Sequence, residues 1–264
     1  MTGIANFPLS TMVCLAVEMI LAIALPLAAI IFWYKKKKGS IIPVLIGAVT
    51  FFVSAVVLEG IFHTLFLFVI TPAADFINSN FFIYAIYGSL MAGIFEETGR
   101  FAAFRLMKKR YGELADAVSY GIGHGGFECA YVLGLTMGAY FVMALMINMG
   151  MGEMLFATMT EADMAALEPV LEGIKTITPA LAFAAVAERI SAMTIHICNS
   201  VIVYNGVKNG KISRLFIAIA LHTAFNMVAL VVNQYFGIAV TEIMLFVFAA
   251  ALGWYVFKMK KGEI

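Results

Sequence analysis

Seven long apolar runs, separated by short gaps that hold most of the charge, constrain this chain more than any other feature. They lie at about Leu9–Tyr34, Ile41–Ile70, Phe81–Met107, Asp116–Met149, Thr178–Val207, Ile212–Tyr235 and Ile238–Phe257. A helix rises about 1.5 Å per residue, so about 20 apolar residues cross a bilayer core. Composition agrees: 63% of the 264 residues are hydrophobic and 12% are charged, about half the charged fraction of a soluble domain. Membrane-spanning barrels show short alternating segments instead of long apolar runs, so a barrel is set aside. The expected fold is an all-α polytopic transmembrane bundle of about seven spans, forming one domain over residues 1–264. It shows no internal repeat or linker, and its place is the cell membrane. The first apolar run is too long for a signal peptide and reads as a retained span.

The basic residues alternate between gaps. Lys35–Lys38, then Lys108, Lys109 and Arg110, then Lys208, Lys211 and Arg214, then Lys258, Lys260 and Lys261 follow the odd-numbered spans. The even-numbered gaps carry only Lys175. Lysine and arginine are retained on the cytoplasmic side. The N-terminus is therefore expected outside and the C-terminus in the cytoplasm. The acidic stretch Gly150–Lys175 falls outside, as an interfacial helix or loop. The net charge of +1 points to no partner class, and nothing in the sequence suggests nucleic acid. Cys14, Cys129 and Cys198 lack the paired spacing of a zinc ribbon and read as small buried hydrophobes.

Ionisable side chains at membrane depth are costly and mark function by default. Here they are Glu18, Glu59, His63, Glu96, Glu97, Arg100, His124, Glu128, Glu188, Arg189, His196, His222 and Glu242. Counted from the cytoplasmic ends of their spans, Glu96 and Glu97 lie roughly 15 Å deep, His124 roughly 12 Å, His196 roughly 16 Å and His222 roughly 15 Å. Four spans thus place two glutamates and three histidines in one layer. Glu18, Glu59, His63, Glu188 and Arg189 form an outer layer, where structural pairing of Arg189 with Glu59 or Glu18 is expected. Within the inner layer Glu96 and Arg100, His124 and Glu128, His196 and Ser200, and His222 and Asn226 are each four residues apart, on shared helix faces. Gly121, Gly123, Gly125 and Gly126 strip side chains from span 4 around His124, which permits close helix packing or substrate approach.

Hydrolysis uses such parts. A glutamate or histidine activates water, and His or Asn side chains stabilise an oxyanion. The same residues, His124, His196, His222 and Glu96, are also candidates to hold Zn²⁺ with an open position. Structural readings stand beside these. Glu96, Glu97 and Arg100 can be an ion-pair network between helices, and any one histidine can be a packing hydrogen bond. A proton-coupled transporter would also place Glu and His at one depth, but inverted repeats and broken-helix pairs are missing.

The motif Glu96-Glu97-Thr98-Gly99-Arg100 resembles the EExxR/EExxxR signature of the CPBP superfamily, which includes type II CAAX prenyl endopeptidases, Abi proteins and PrsW-type proteases. Gly121-Ile122-Gly123-His124-Gly125-Gly126-Phe127-Glu128 resembles the YhfC branch. His222-Thr223-Ala224-Phe225-Asn226 is similar to the superfamily's HxxxN/D motif, and His196 fits its remaining intramembrane histidine. The resemblance covers about residues 81–235. It implies a glutamate-dependent intramembrane peptidase opening to the cytoplasm, acting on a membrane-protein or lipidated-peptide substrate, with Zn²⁺ or no cofactor. Glu96 with His124 would activate water, and His222 with Asn226 would support the oxyanion. Glu97, Arg100, Glu128 and His196 would shape the site. The Glu-to-Arg spacing is one residue shorter than in the CAAX enzymes, and Tyr120 stands where they have Phe, so CAAX processing itself is not implied. A non-catalytic scaffold or immunity-type protein of the same fold is the alternative.

The orientation is testable with terminal reporter fusions. A fluorescent protein fused to the C-terminus is expected to be bright, whereas a periplasm- or exterior-active phosphatase there is expected to be silent. The reverse pattern would overturn the assignment.

Overall fold

A computed structural model describes residues 6–37 and 40–261. Lys38, the last cation of the first basic cluster, lies outside them. The described residues are mostly helical, with short turns between the helices and no strand among them. The reason is physical: in lipid each backbone donor and acceptor must be satisfied within its own segment. The helices are α1 (Leu9–Lys37), α2 (Ile41–Val69), α3 (Thr71–Asn78), α4 (Phe81–Met107), α5 (Leu114–Asn148), α6 (Gly152–Leu155), α7 (Glu161–Lys175), α8 (Pro179–Asn209), α9 (Ser213–Phe236) and α10 (Ile238–Lys261). Six of them, α1, α2, α5, α8, α9 and α10, are long and apolar enough to cross a membrane by length and composition. Helix α4 has 27 residues, enough length, but it carries Glu96, Glu97, Arg100 and Arg105.

Helix starts follow local chemistry. The Ser40 side chain accepts from the Ile42 amide at the start of α2, and Asn80 accepts from the Phe82 amide at the start of α4. Thr160 and Asp163 cap α7 reciprocally, so part of the acidic stretch is an ordered helix. Helix α2 contains two π-helical stretches, Phe52–Glu59 and Leu65–Val69. Just before the first of them, the Thr50 hydroxyl donates to the Ile46 carbonyl at 2.7 Å. The Ser54 hydroxyl donates to the Thr50 carbonyl at 2.7 Å within it. Such bonds compete with the regular ladder and accompany local unwinding.

The chain divides into two compact units, Met1–Ala24 with Cys129–Arg189 and Leu25–Glu128 with Ile190–Ile264. In the first, Leu15, Ala144, Ile147, Phe156, Leu171 and Ile174 build an apolar core. The Phe7 amide donates to Asn148 Oδ1 at 2.7 Å, and Asn148 Nδ2 donates back to the Phe7 carbonyl at 3.0 Å. Glu18 is buried there, and Arg189 is ion-paired with Glu188.

The second unit holds all the inner-layer residues. Its helices approach each other through glycines. A Cβ on Gly47 of α2 would lie 2.2 Å from the Tyr120 carbonyl oxygen, and one on Gly123 of α5 would lie 1.9 Å from that of Val44. On the other faces of α5, a Cβ on Gly121 would strike Ile197 of α8 at 2.6 Å, and one on Gly125 would meet His196 Cβ at 3.0 Å. The glycine strip around His124 is thus a packing device that seats α5 against both α2 and α8 backbones.

Because the Val44 backbone cannot yield, Gly123→Ala should lower stability by about 1–3 kcal/mol. Gly88→Ala, where a Cβ meets open space, is the control and should be neutral or stabilising. Thermal unfolding of the purified full chain in detergent reads both.

Candidate active site

Four helices of the second unit converge on one buried polar centre. Helix α4 supplies Glu96, Glu97 and Arg100, α5 supplies His124 and Glu128, α8 supplies His196 and Asn199, and α9 supplies His222. Glu97, Arg100, His124 and Asn199 are 0% exposed, and Glu96 is 6% exposed. The ring centroids of His124 and His196 are 4.8 Å apart, and those of His196 and His222 are 5.1 Å apart. The layer expected from helix depth is therefore a single cluster.

Consecutive residues on a helix point about 100° apart, and this separates the two glutamates. Glu96 turns to α5, where its Oε2 accepts from His124 Nε2 at 2.9 Å. Its Oε2 also lies 3.9 Å from His196 Nδ1, and its Oε1 lies 3.9 Å from His222 Nε2. Those two separations are too long for hydrogen bonds. Glu97 turns to α8 and α9. Its Oε1 takes His222 Nδ1–H at 2.9 Å and Asn199 Nδ2–H at 3.1 Å, while its Oε2 lies 3.4 Å from Arg100 Nη1. Glu97 is thus held through Oε1 by two donors and through Oε2 by the Arg100 charge, whereas Glu96 Oε1 is directed at His222 Nε2 without a hydrogen bond to it.

Arg100 ties the centre together. Its Nη1 donates to the His196 carbonyl at 3.0 Å and its Nη2 to His196 Nδ1 at 2.9 Å. Guanidinium has only donors, so Nδ1 is the acceptor and the proton of neutral His196 sits on Nε2. That nitrogen faces Glu128 Oε2 at 2.5 Å. Tyr120 closes one side. Its ring is tilted toward His124 at 5.9 Å, and Arg100 lies 6.0 Å from its centroid.

Most of these side chains pair across helices, and the exception is Arg100 with Glu97, three residues apart on α4. Among the described residues Glu96 makes no ion pair with Arg100, which goes to Glu97. Glu128 meets His196 instead of His124. Ser200 donates to the His196 backbone carbonyl at 2.7 Å, not to its ring. Asn226 is half-buried and makes no hydrogen bond among the described residues. Residues four apart stack in parallel on one helix, while ends of side chains in a bundle interior meet those of facing helices. Asn199 is the functional candidate absent from the sequence reading. Its only sequence signal is its position three residues after His196, on the same face of α8. In the outer layer Glu59 Oε1 lies 3.0 Å from His63 Nε2, and His63 Nδ1 lies 3.2 Å from the Tyr87 hydroxyl.

Glu96, His196 and His222 each present a ligand atom, all within 4.8 Å of one another, with every residue buried. Two imidazoles and a carboxylate are a donor set that divalent metals accept. By type and spacing, these residues fit a metal ion.

Fold and site together define a class: a multi-pass α-helical membrane protein with a buried glutamate–histidine centre. The chain belongs to the YhfC intramembrane metalloprotease family, whose profile matches residues 21–247. It is similar to the uncharacterized membrane protein YhfC of Bacillus subtilis (strain 168), with 37% identity over 256 residues, covering 94% of this chain and 96% of the relative. No solved structure matches the chain.

Removing the Asn199 amide would leave Glu97 one donor short in a dry interior. Asn199→Ala is expected to cost about 1–3 kcal/mol, read by thermal unfolding, with secondary structure unchanged. A melting temperature equal to that of the unaltered protein would show that Glu97 does not need this donor.

Proposed function

We propose that this protein is an intramembrane endopeptidase that hydrolyses a peptide bond with water activated by Glu96. The observation that carries the reading is the gap between Glu96 Oε1 and His222 Nε2, 3.9 Å. It is too wide for a direct hydrogen bond and suits a single small molecule bridging a base and an imidazole. Every other strong contact of the two side chains holds them in place. His124 fixes Glu96, and Glu97 fixes His222 through Nδ1.

In this reading Glu96 takes a proton from water as the oxygen adds to the scissile carbonyl. With Nδ1–H held by Glu97, His222 meets the oxyanion as the imidazolium, donating from Nε2–H in a low-dielectric site where such contacts are strong. Asn226, one turn beyond His222, is the second candidate for that role. The proton held by Glu96 then passes to the leaving amine as the C–N bond breaks. Glu97, Arg100, Asn199, His196 and Glu128 position these groups. Glu96, His196 and His222 are the residues that would hold Zn²⁺, which when bound polarises a carbonyl and makes water more acidic.

The alternating basic gaps favour placing this centre in the cytoplasmic half of the bilayer. A membrane-protein or lipidated-peptide substrate is supported by an apolar groove of about 850 Å³ between α2 and α4, lined by Val49, Val53, Ile94, Phe95, Ala102 and Leu106. Thr98 and Gly99, next to the site glutamates in sequence, also border it.

The test compares the membrane proteome of cells carrying the unaltered protein with that of cells carrying Glu96→Gln or His124→Ala. Each variant should be expressed normally and lose about 10²–10⁴-fold in cleavage of an accumulating substrate. Full cleavage by both variants would sink the peptidase reading. A stoichiometric membrane partner with no proteolysis would point to the non-catalytic scaffold instead.

A further inference from the structure

The His196 nitrogen that faces Glu96 is already in use. Nδ1 lies 3.9 Å from Glu96 Oε2, on the side where Glu96, His196 and His222 converge. It also accepts from Arg100 Nη2 at 2.9 Å. A neutral imidazole has one lone pair, and a metal bond needs it. The opposite nitrogen, Nε2, is turned to Glu128 at 2.5 Å. The other two ligands are not encumbered in this way. His222 spends its Nδ1 on Glu97 and turns Nε2 toward Glu96, and Glu96 Oε1 faces that nitrogen across the gap.

We propose that Arg100 and a divalent cation compete for Nδ1 of His196, so that metal loading of this centre requires the guanidinium to withdraw. Two further observations support this. Arg100 is fully buried, so its charge is little screened from a cation bound close by. It is also anchored independently, by the His196 carbonyl at 3.0 Å and by Glu97 at 3.4 Å. Withdrawal therefore breaks contacts beyond the one at Nδ1. Arg100 thus sets how readily the centre takes a metal, and it completes a polar network that stands without one. The inference depends on the site reading only for the choice of the three ligands, and it does not require that the protein cleave anything.

The experiment is a Co²⁺ titration of the purified full chain in detergent after chelation, read by visible absorption and by elemental stoichiometry. Arg100→Met should bind Co²⁺ at least about tenfold more tightly than the unaltered protein, the scale of one competing charge-assisted hydrogen bond. Arg100→Lys keeps the charge but cannot fork across both the carbonyl and Nδ1, and it should show a smaller gain. It also serves if Arg100→Met does not fold. Adding His196→Ala to either variant should erase the gain. Unchanged affinity in both single variants, or no Co²⁺ uptake by any protein, would overturn the proposal. A gain that survives in the His196→Ala background would also overturn it, because the effect would then be net charge rather than competition at Nδ1. Loss of proteolysis in the Glu96→Gln comparison concerns the peptidase reading alone, so the two failures are separable.

Discussion

The centre depends on one buried guanidinium. Arg100 touches the carboxylate of Glu97, the carbonyl of His196 and the ring of His196, and so joins α4 to α8 at membrane depth. A lone cation there would be prohibitively costly. It is tolerated because one carboxylate and two neutral acceptors meet it. Buried ion pairs are weak sources of net stability, since desolvation consumes most of their attraction. What this one contributes is position. It selects the His196 tautomer, and with Asn199 and His222 it holds Glu97 in place. Glu96, by contrast, has its one hydrogen bond among the described residues to His124 and directs Oε1 toward His222.

Such a network can form only if the helices come close enough for side chains of ordinary length to meet. The glycines supply that closeness. Gly47 and Gly123 let α2 and α5 pack backbone to backbone, and Gly121 and Gly125 do the same for α5 against α8. In a bilayer, helix association relies on such contacts because lipid is as apolar as the side chains. His124, placed between these glycines, is carried to 2.9 Å from Glu96 by the packing of its own helix. Stability and site geometry therefore share the same residues, and a methyl group added at Gly123 should disturb both.

Much of this was legible in the sequence because membrane depth is nearly one-dimensional. Helical rise converts residue number into depth, so Glu96, Glu97, His124, His196 and His222 could be assigned one layer before any contact was known. The rotational half of the problem was not legible. Spacing of four suggested Glu96 with Arg100 and His124 with Glu128, whereas Arg100 pairs with Glu97 on its own helix and with His196 of α8, and Glu128 meets His196. Asn199 carries no such signal, because it is neutral and has no i,i+4 ionisable partner, although it lies on the face that carries His196.

By itself the sequence determined that the chain is an all-α membrane protein, where its apolar runs start and stop, and which ionisable residues lie at common depth. Hydropathy and rise per residue are properties of a single segment, and a single segment suffices to read them. Only the tertiary structure decided the pairing: Glu96 directed at His222 without a hydrogen bond to it, Glu97 held by His222, Asn199 and Arg100, and Arg100 holding the one His196 nitrogen that faces Glu96. Those outcomes depend on how four helices are rotated about their axes. Rotation is set by glycine contacts and by the need to satisfy every buried charge at once, which no segment specifies alone.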